Sequence, residues 1–222
     1  RPLSEQERLR GEKETLGLYL TGHPIDSYED ELRSMVPTRL AELKADRGSQ
    51  LVAGLVVDLR VVRTKRGDAI LFATIDDRSG RLEILISGDV LDAHREKLVK
   101  DAVLLFEGEL SFDDFSGALR MRRCQGLFSI TEARQRFAVA LELCLSQRDE
   151  ALGFATQLAE ALAPYRGEGC PVAVHYRRCD AEVRLRLSDE WQVLPSDDLL
   201  ERLRERLPVD RVSLRYPEHR GS

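Results

Sequence analysis

Residues 51–87, LVAGLVVDLRVVRTKRGDAILFATIDDRSGRLEILIS, contain three apolar runs separated by two polar turns. Each run is rich in valine, isoleucine and leucine, which favours strands. The turns Thr64–Asp68 and Asp76–Gly80 each carry a glycine, whose permissive backbone suits a tight reversal. The stretch therefore predicts strands over 51–62, 69–75 and 81–86.

The pattern continues with one helix and two more strands. Residues 89–99 have helical spacing, and strands are predicted over 102–110 and 118–130 around the turn Asp113–Gly117. Three strands, a helix and two strands are the element order of the OB-fold, a five-stranded Greek-key barrel. We therefore predict an OB-fold domain over residues 50–130.

Residues 1–49 are predicted to form a short N-terminal helical segment. Ser4 and Glu7 have capping-box spacing, and the helix that they begin stops at Thr21–Pro24. A second helix is predicted from Asp26 or Ser27 to Ser34, and a helical turn after Pro37.

Residues 131–222 predict a small two-layer α+β domain, which makes the fold class mixed. A helical link (131–136), a strand (137–145) and an amphipathic helix (149–162) come first, and Pro164 and Gly167–Gly169 break that helix. A hairpin is predicted over 172–177 and 181–187, extended by Trp191–Leu194. Ser196 caps a helix to Leu207, and 211–216 is the last strand.

The composition is that of a folded, charge-rich protein. Among 222 residues there are 34 basic and 39 acidic ones, giving a net charge of −5, which disfavours nucleic-acid binding over the whole surface. No apolar run approaches the ~18 residues of a membrane span. The four cysteines show no CxxC spacing, which favours reduced thiols in a cytoplasm over a zinc site. The chain starts without methionine or an apolar leader, so we expect a piece of a longer protein without a signal peptide.

Basic residues stand where OB-folds bind single strands, and Phe72 or Phe115 is placed to stack on a base. The alternative to a DNA-binding strip is a solvated charged face. The near-neutral balance supports this alternative, because residues 50–130 carry 12 basic and 13 acidic residues. The candidate DNA-binding residues are Arg60, Arg63, Lys65, Arg66, Arg78, Arg81, Phe115, Arg120 and Arg122.

No catalytic, metal or cofactor motif is found in the sequence. Asp76–Asp77 and Asp113–Asp114 precede turns, where aspartate accepts backbone hydrogen bonds, so a turn role is favoured over metal binding. Trp191, Leu214 and Tyr216 fit either core packing or contact with a partner.

Several motifs carry a family resemblance. Glu14–Pro24, ETLGLYLTGHP, closely resembles a segment of the bacterial replicative DNA polymerase III alpha subunits. Thr64–Gly67, Asp76–Glu83 and Ser111–Gly117 fit the same family in the same order, as does Trp191 with the downstream Pro195–Asp197. The resemblance covers essentially the whole chain and points to the C-terminal region of that family.

This resemblance implies a non-catalytic segment, because the family's three metal-binding aspartates lie upstream. It implies that the OB domain contacts single-stranded template DNA, with Thr64–Asp68 as the matching loop. It also implies that the last domain binds the tau subunit of the clamp loader, with Trp191 and Leu214 as matching positions. The alternative is a barrel that packs on the polymerase and binds no DNA.

The family's sliding-clamp motif normally lies just upstream of the glycine–histidine–proline segment. Gln125–Phe128 is one residue shorter than the usual pattern and lies on a predicted strand. We interpret it as core and do not expect this segment to bind the sliding clamp.

Overall fold

The computed structural model describes residues 25–36, 38–46, 48–64, 67–146, 153–177, 181–207 and 211–217. The chain divides into two compact units, Arg1–Ile130 and Thr131–Ser222. The predicted first helix, from Ser4 to the Thr21–Pro24 stop, lies outside the described residues. Within the described part, no helix is long and apolar enough to span a membrane.

A short helical segment precedes the barrel in the first unit. A 3-10 turn over Asp26–Tyr28 leads into helix α1, Glu29–Met35, and a second 3-10 turn covers Leu40–Glu42. Leu40 is buried in the barrel's core cluster, and its backbone N–H donates to Asp77 Oδ2 at 2.9 Å. The segment is therefore attached to the barrel at the turn between its second and third strands.

The first unit is built around a closed five-stranded barrel, which confirms the predicted OB-fold class. The strands are β1 Ser49–Arg63, β2 Ala69–Asp76, β3 Arg81–Ser87, β4 Val103–Phe112 and β5 Leu119–Ser129. Around the barrel the strand order is β1-β2-β3-β5-β4, and helix α2, Gly88–His94, connects β3 to β4. A 3-10 turn, Arg95–Lys97, replaces the end of the longer helix that we predicted.

Strand alternation decides what fills the barrel and what lies on its surface. Leu71, Ala73 and Ile75 of β2 are buried, so the intervening Phe72 lies on the outer face. In β3 the buried Leu82, Ile84 and Ile86 leave Glu83 and Leu85 outside in the same way. The largest fully buried side chain is Phe106 on β4.

Two register shifts on β5 change which of its residues face outward. The pairing passes from Glu107↔Gly126 to Gly108↔Cys124, and again from Glu109↔Arg123 to Leu110↔Met121. The second shift leaves Arg122 as an extra residue, which is the signature of a β-bulge. As a result Arg122 and Arg123 are both exposed, although strict alternation would turn one of them inward.

The second unit is a four-stranded sheet with two helices packed into its core. The elements are α3 Ile130–Phe137, β6 Ala140–Ser146, α4 Phe154–Leu162, β7 Arg166–Cys170, β8 Val172–Arg177, β9 Glu182–Arg186, α5 Asp197–Arg206 and β10 Arg211–Arg215. The strand order of the sheet is β10-β6-β8-β9, with β6 and β8 parallel and the other neighbours antiparallel. Ser196 caps α5 as predicted, since its Oγ accepts from Leu199 N at 3.2 Å.

One local prediction in the second unit is wrong, because Trp191–Leu194 does not extend the hairpin. The helix does end before Gly167–Gly169, as predicted, but these residues also form a strand, β7, that the sequence did not indicate. Trp191 ends a 3-10 turn, and Val193 forms bridges with Arg166 and Cys170 of β7. A Cβ at Gly169 would overlap the carbonyl oxygen of Val193. Gly169 therefore allows the backbones of β7 and Val193 to approach closely. In the sequence alone, this role cannot be told from that of a glycine that ends a helix.

Candidate nucleic-acid interface

The outer face of β1, β2 and β3 carries an aromatic side chain covered by an arginine. Arg60 is paired with Phe72 in register, and Phe72 with Leu85. The guanidinium carbon of Arg60 lies 4.9 Å from the centroid of the Phe72 ring. Guanidinium and base planes both stack on aromatic faces, so this row is a platform on which a base can lie.

The next rows of residues along the strands contain arginines of β5. Glu83 of β3 pairs in register with Arg120 of β5, and Arg120 Nε lies 3.0 Å from Glu83 Oε1. Arg122 stands further along β5, at the bulge. Together these rows line a shallow groove bordered by Phe72, Leu85, Glu83, Asp113, Arg120 and Arg122.

The turn between β4 and β5 borders the groove and presents an aromatic side chain to solvent. Asp113 holds this turn, because its Oδ1 accepts from Ser116 N at 2.9 Å and from Phe115 N at 3.2 Å. These hydrogen bonds, led by that from Ser116, lower the pKa of Asp113 below its usual value. The Phe115 side chain is fully exposed at 101%.

Every arginine of this groove faces a carboxylate. Arg60 Nη2 lies 3.9 Å from Glu83 Oε2, Arg120 Nη1 donates to Asp113 Oδ2 at 2.9 Å, and Arg122 Nη2 donates to Asp114 Oδ2 at 3.1 Å. The groove is therefore close to neutral rather than strongly positive. Phosphate oxygens would have to compete with these side chains for the same guanidinium groups.

The remaining sequence candidates do not line the groove or lie outside the described residues. Arg78 Nη1 pairs with Asp26 Oδ1 at 2.5 Å, and Arg81 Nε with Asp76 Oδ2 at 2.9 Å. Arg63 ends β1 and makes no ion pair with any residue that the structure describes. Lys65 and Arg66 lie outside the described residues.

Comparison with known proteins identifies the family. One family model, the OB-fold nucleic acid binding domain, matches residues 51–123, and another, DNA polymerase III subunit alpha, C-terminal domain, matches residues 157–207. The DNA polymerase III alpha subunits of Vibrio cholerae and Pseudomonas aeruginosa are 44% and 45% identical to this chain in sequence, and each match covers 96% of it. That of Escherichia coli is 44% identical over 97%. The chain belongs to the DNA polymerase III alpha subunit family.

The match covers only part of these alpha subunits. The chain spans 18% to 19% of their length and corresponds to their C-terminal part. Among solved structures, the SSB domain of a Synechococcus protein is 12% identical, with a TM-score of 0.31 over 38% of this chain and 98% of that one. A score at that level shows no more than a loose likeness.

In this alpha-subunit segment the acidic pairs act in turns. Asp77 Oδ1 accepts from Ser79 N at 2.9 Å and from Gly80 N at 3.0 Å, as Asp113 does in its own turn. Among the described residues, no group of three histidine, cysteine or acidic side chains is placed to hold a metal. Burial raises the pKa of Cys124 and of Cys170 to about 11, so both thiols stay protonated at neutral pH.

The three partner candidates of the second unit differ in exposure. Trp191 is half-buried, with the Arg166 guanidinium carbon 4.4 Å from its ring centroid. Leu214 lies on β10, half-buried against the core, and Tyr216 is only 8% exposed. Trp191 follows β9 and Leu214 lies on β10, and β9 and β10 are the two edge strands of the sheet.

The sequence pattern missed Glu83 and Leu85 as groove residues. Alternation along β3 was enough to place both on the outer face. Their position beside Phe72 and Arg120, however, depends on the register between strands that are distant in sequence. Leu127, in the segment compared with the clamp motif, is fully buried in the barrel.

Proposed function

We propose that this segment is a non-catalytic part of a DNA polymerase III alpha subunit in the bacterial cytoplasm. Its barrel contacts single-stranded template DNA, and its second unit binds the tau subunit of the clamp loader, coupling the polymerase to the replisome. The observation that carries the DNA contact is the groove that Phe72 lines together with Arg120 and Arg122, with Arg60 stacked over the Phe72 ring. An aromatic platform with flanking guanidinium groups binds a single strand without reading its sequence.

Arg120→Ala should weaken DNA binding by about threefold to tenfold, the effect of losing one hydrogen bond worth about 1 kcal/mol, since Asp113 and Glu83 already hold the guanidinium. Because one phosphate contact is lost, the slope of log affinity against log salt should fall by about 0.7. The measurement is fluorescence anisotropy of a labelled oligo-dT with the 222-residue chain at several salt concentrations. Arg33→Ala removes the same charge from exposed α1 and should change little. Equal affinities for the two variants would contradict a DNA contact in this groove.

A second candidate function is a barrel that packs on the polymerase and binds no DNA. The observation that favours it is the carboxylate facing each groove arginine. The two candidates differ in what neutralising one of those carboxylates should do.

Glu83→Gln should strengthen oligo-dT binding by about twofold to fivefold at low salt, because Glu83 faces both Arg60 and Arg120. The matched control is Glu109→Gln on β4, whose carboxylate accepts from Gln125 Nε2 at 3.0 Å outside the groove. Titration of both variants in the same assay decides between the candidates. A protein-packing barrel predicts no DNA binding by either variant.

Trp191→Ala should weaken tau binding by about thirtyfold, the effect of an interface aromatic worth about 2 kcal/mol. Titration calorimetry of purified tau into the 222-residue chain gives the affinity. Phe115→Ala is the control, since it removes an exposed aromatic side chain from the barrel instead. If Trp191→Ala binds tau with unchanged affinity, Trp191 is a packing residue and not a tau contact.

A further inference from the structure

The edge strand β9 is the most exposed strand of the second unit. All of its residues, Glu182 to Arg186, are exposed, and β8 is the one strand with which it pairs in the described part of the chain. An unpaired edge presents a row of backbone donors and acceptors to solvent.

The register shows which backbone groups of β9 face outward. Leu187 N donates to Val172 O at 2.9 Å, and the antiparallel register continues with Leu185 opposite Val174. Hydrogen-bonded pairs alternate in an antiparallel ladder, so Val183 and Leu185 bond to β8. The N–H and C=O groups of Arg184 and Arg186 therefore point away from β8, and no described residue hydrogen-bonds them.

The two faces of β9 differ in chemistry. Val183 and Leu185 lie on the face that carries the buried core, yet they are 44% and 55% exposed. Arg184 and Arg186 lie on the opposite face, where Arg184 pairs with Glu142 and Arg186 with Asp189. An additional strand would cover the apolar pair on one face and meet the arginines on the other.

We propose that β9 accepts an extended segment of a partner protein in which apolar and acidic residues alternate. Such a segment pairs with the free backbone groups of Arg184 and Arg186, a form of recognition by strand addition. Its apolar residues cover Val183 and Leu185, and its acidic residues stand opposite the arginines. A nucleic acid cannot supply the alternating backbone donors and acceptors that this edge requires.

A second copy of β9 is disfavoured as the occupant. Antiparallel pairing that overlaps all five residues of two β9 strands sets Arg184 against Arg184, and like charges directly opposite one another destabilise a sheet. This inference goes beyond the proposed function, because neither the groove nor Trp191, Leu214 or Tyr216 lies on β9.

The test uses a fluorescein-labelled synthetic heptapeptide that alternates glutamate and valine, with a block-permuted peptide of the same composition as the control. Anisotropy with the full 222-residue chain should show saturable binding of the alternating peptide and at least tenfold weaker binding of the permuted one. Equal binding of the two peptides overturns the proposal. So does displacement of the peptide by oligo-dT, or dimerisation of the chain that the peptide does not disrupt.

Two variants at Arg184 distinguish the contribution of its backbone N–H to peptide binding from that of its side chain. Arg184→Pro removes an outward N–H that β8 does not use, which an edge strand tolerates, and should weaken peptide binding at least tenfold. Arg184→Ala loses the charge but keeps the N–H, and should weaken it no more than about threefold. Unchanged binding by Arg184→Pro overturns the proposal.

Hydrogen exchange on the unmodified chain gives a readout that does not depend on the variants. Without the peptide, the amides of Arg184 and Arg186 should exchange faster than those of Val183 and Leu185, which bond to β8. With the peptide bound, the two arginine amides should slow at least tenfold. No slowing on saturation with the peptide overturns the proposal.

Discussion

Phe106→Ala is expected to lower the free energy of unfolding of the barrel by about 3–5 kcal/mol. Phe106 is the largest side chain in the fully buried part of the barrel core, at 0% exposure. It lies on β4 between the buried Val52 of β1 and the buried Leu127 of β5, so truncation leaves a cavity that the closed sheet cannot collapse to fill. Urea unfolding followed by circular dichroism measures the loss.

Phe115→Ala is the matched control for this prediction. The same atoms are removed from a side chain that is fully exposed, so stability should change by less than about 0.5 kcal/mol. Phe115→Ala should instead weaken oligo-dT binding, since stacking on one base contributes about 1–3 kcal/mol. If Phe106→Ala fails to fold, the smaller change Phe106→Leu still measures the cavity. A loss below about 1 kcal/mol for Phe106→Ala would contradict a close-packed barrel core.

Gly108→Ala is expected to destabilise the barrel by about 3 kcal/mol through overpacking against backbone. A Cβ at this position would overlap the carbonyl oxygen of Arg123 and lie 2.8 Å from Met121 Sδ. A flexible side chain can move aside, but the carbonyl belongs to the β4–β5 ladder at its bulges. Relief of the clash must therefore shift β5, which carries Arg120 and Arg122.

This variant should affect binding as well as stability. Thermal unfolding gives the stability, and oligo-dT anisotropy at a temperature where the variant is folded gives the affinity. Gly167→Ala is the control, because a Cβ there meets no atom within 4 Å and the expected change is below about 0.5 kcal/mol. Equal melting temperatures for the two variants would show that the bulge has more room than the structure gives it.

The two units differ in how directly the sequence predicts them. In the barrel, the residues that stabilise each turn lie within the turn itself. Asp77 and Asp113 therefore accept the backbone hydrogen bonds that their positions in the sequence predict. In the second unit, Gly167 and Gly169 indicate only that the preceding helix ends, although the residues around them form a strand opposite Val193. A pairing partner more than twenty residues away leaves no local signal.

Features that depend on residues close together in the chain were predictable from the amino-acid sequence. The alternation along β2 and β3 placed Phe72 outward, the order of strands and helix implied the barrel, and Ser196 marked the start of α5. These features follow from side-chain periodicity and capping, which act within a few residues of the chain.

What the outward side chains meet depends on the tertiary structure. The register between β3 and β5 set Arg120 beside Glu83, and the bulge on β5 left both Arg122 and Arg123 exposed. The antiparallel ladder likewise turned the backbone N–H and C=O of Arg184 away from β8. Register is fixed by packing the whole barrel or sheet at once, so residues far apart in sequence come together without any local pattern to predict it.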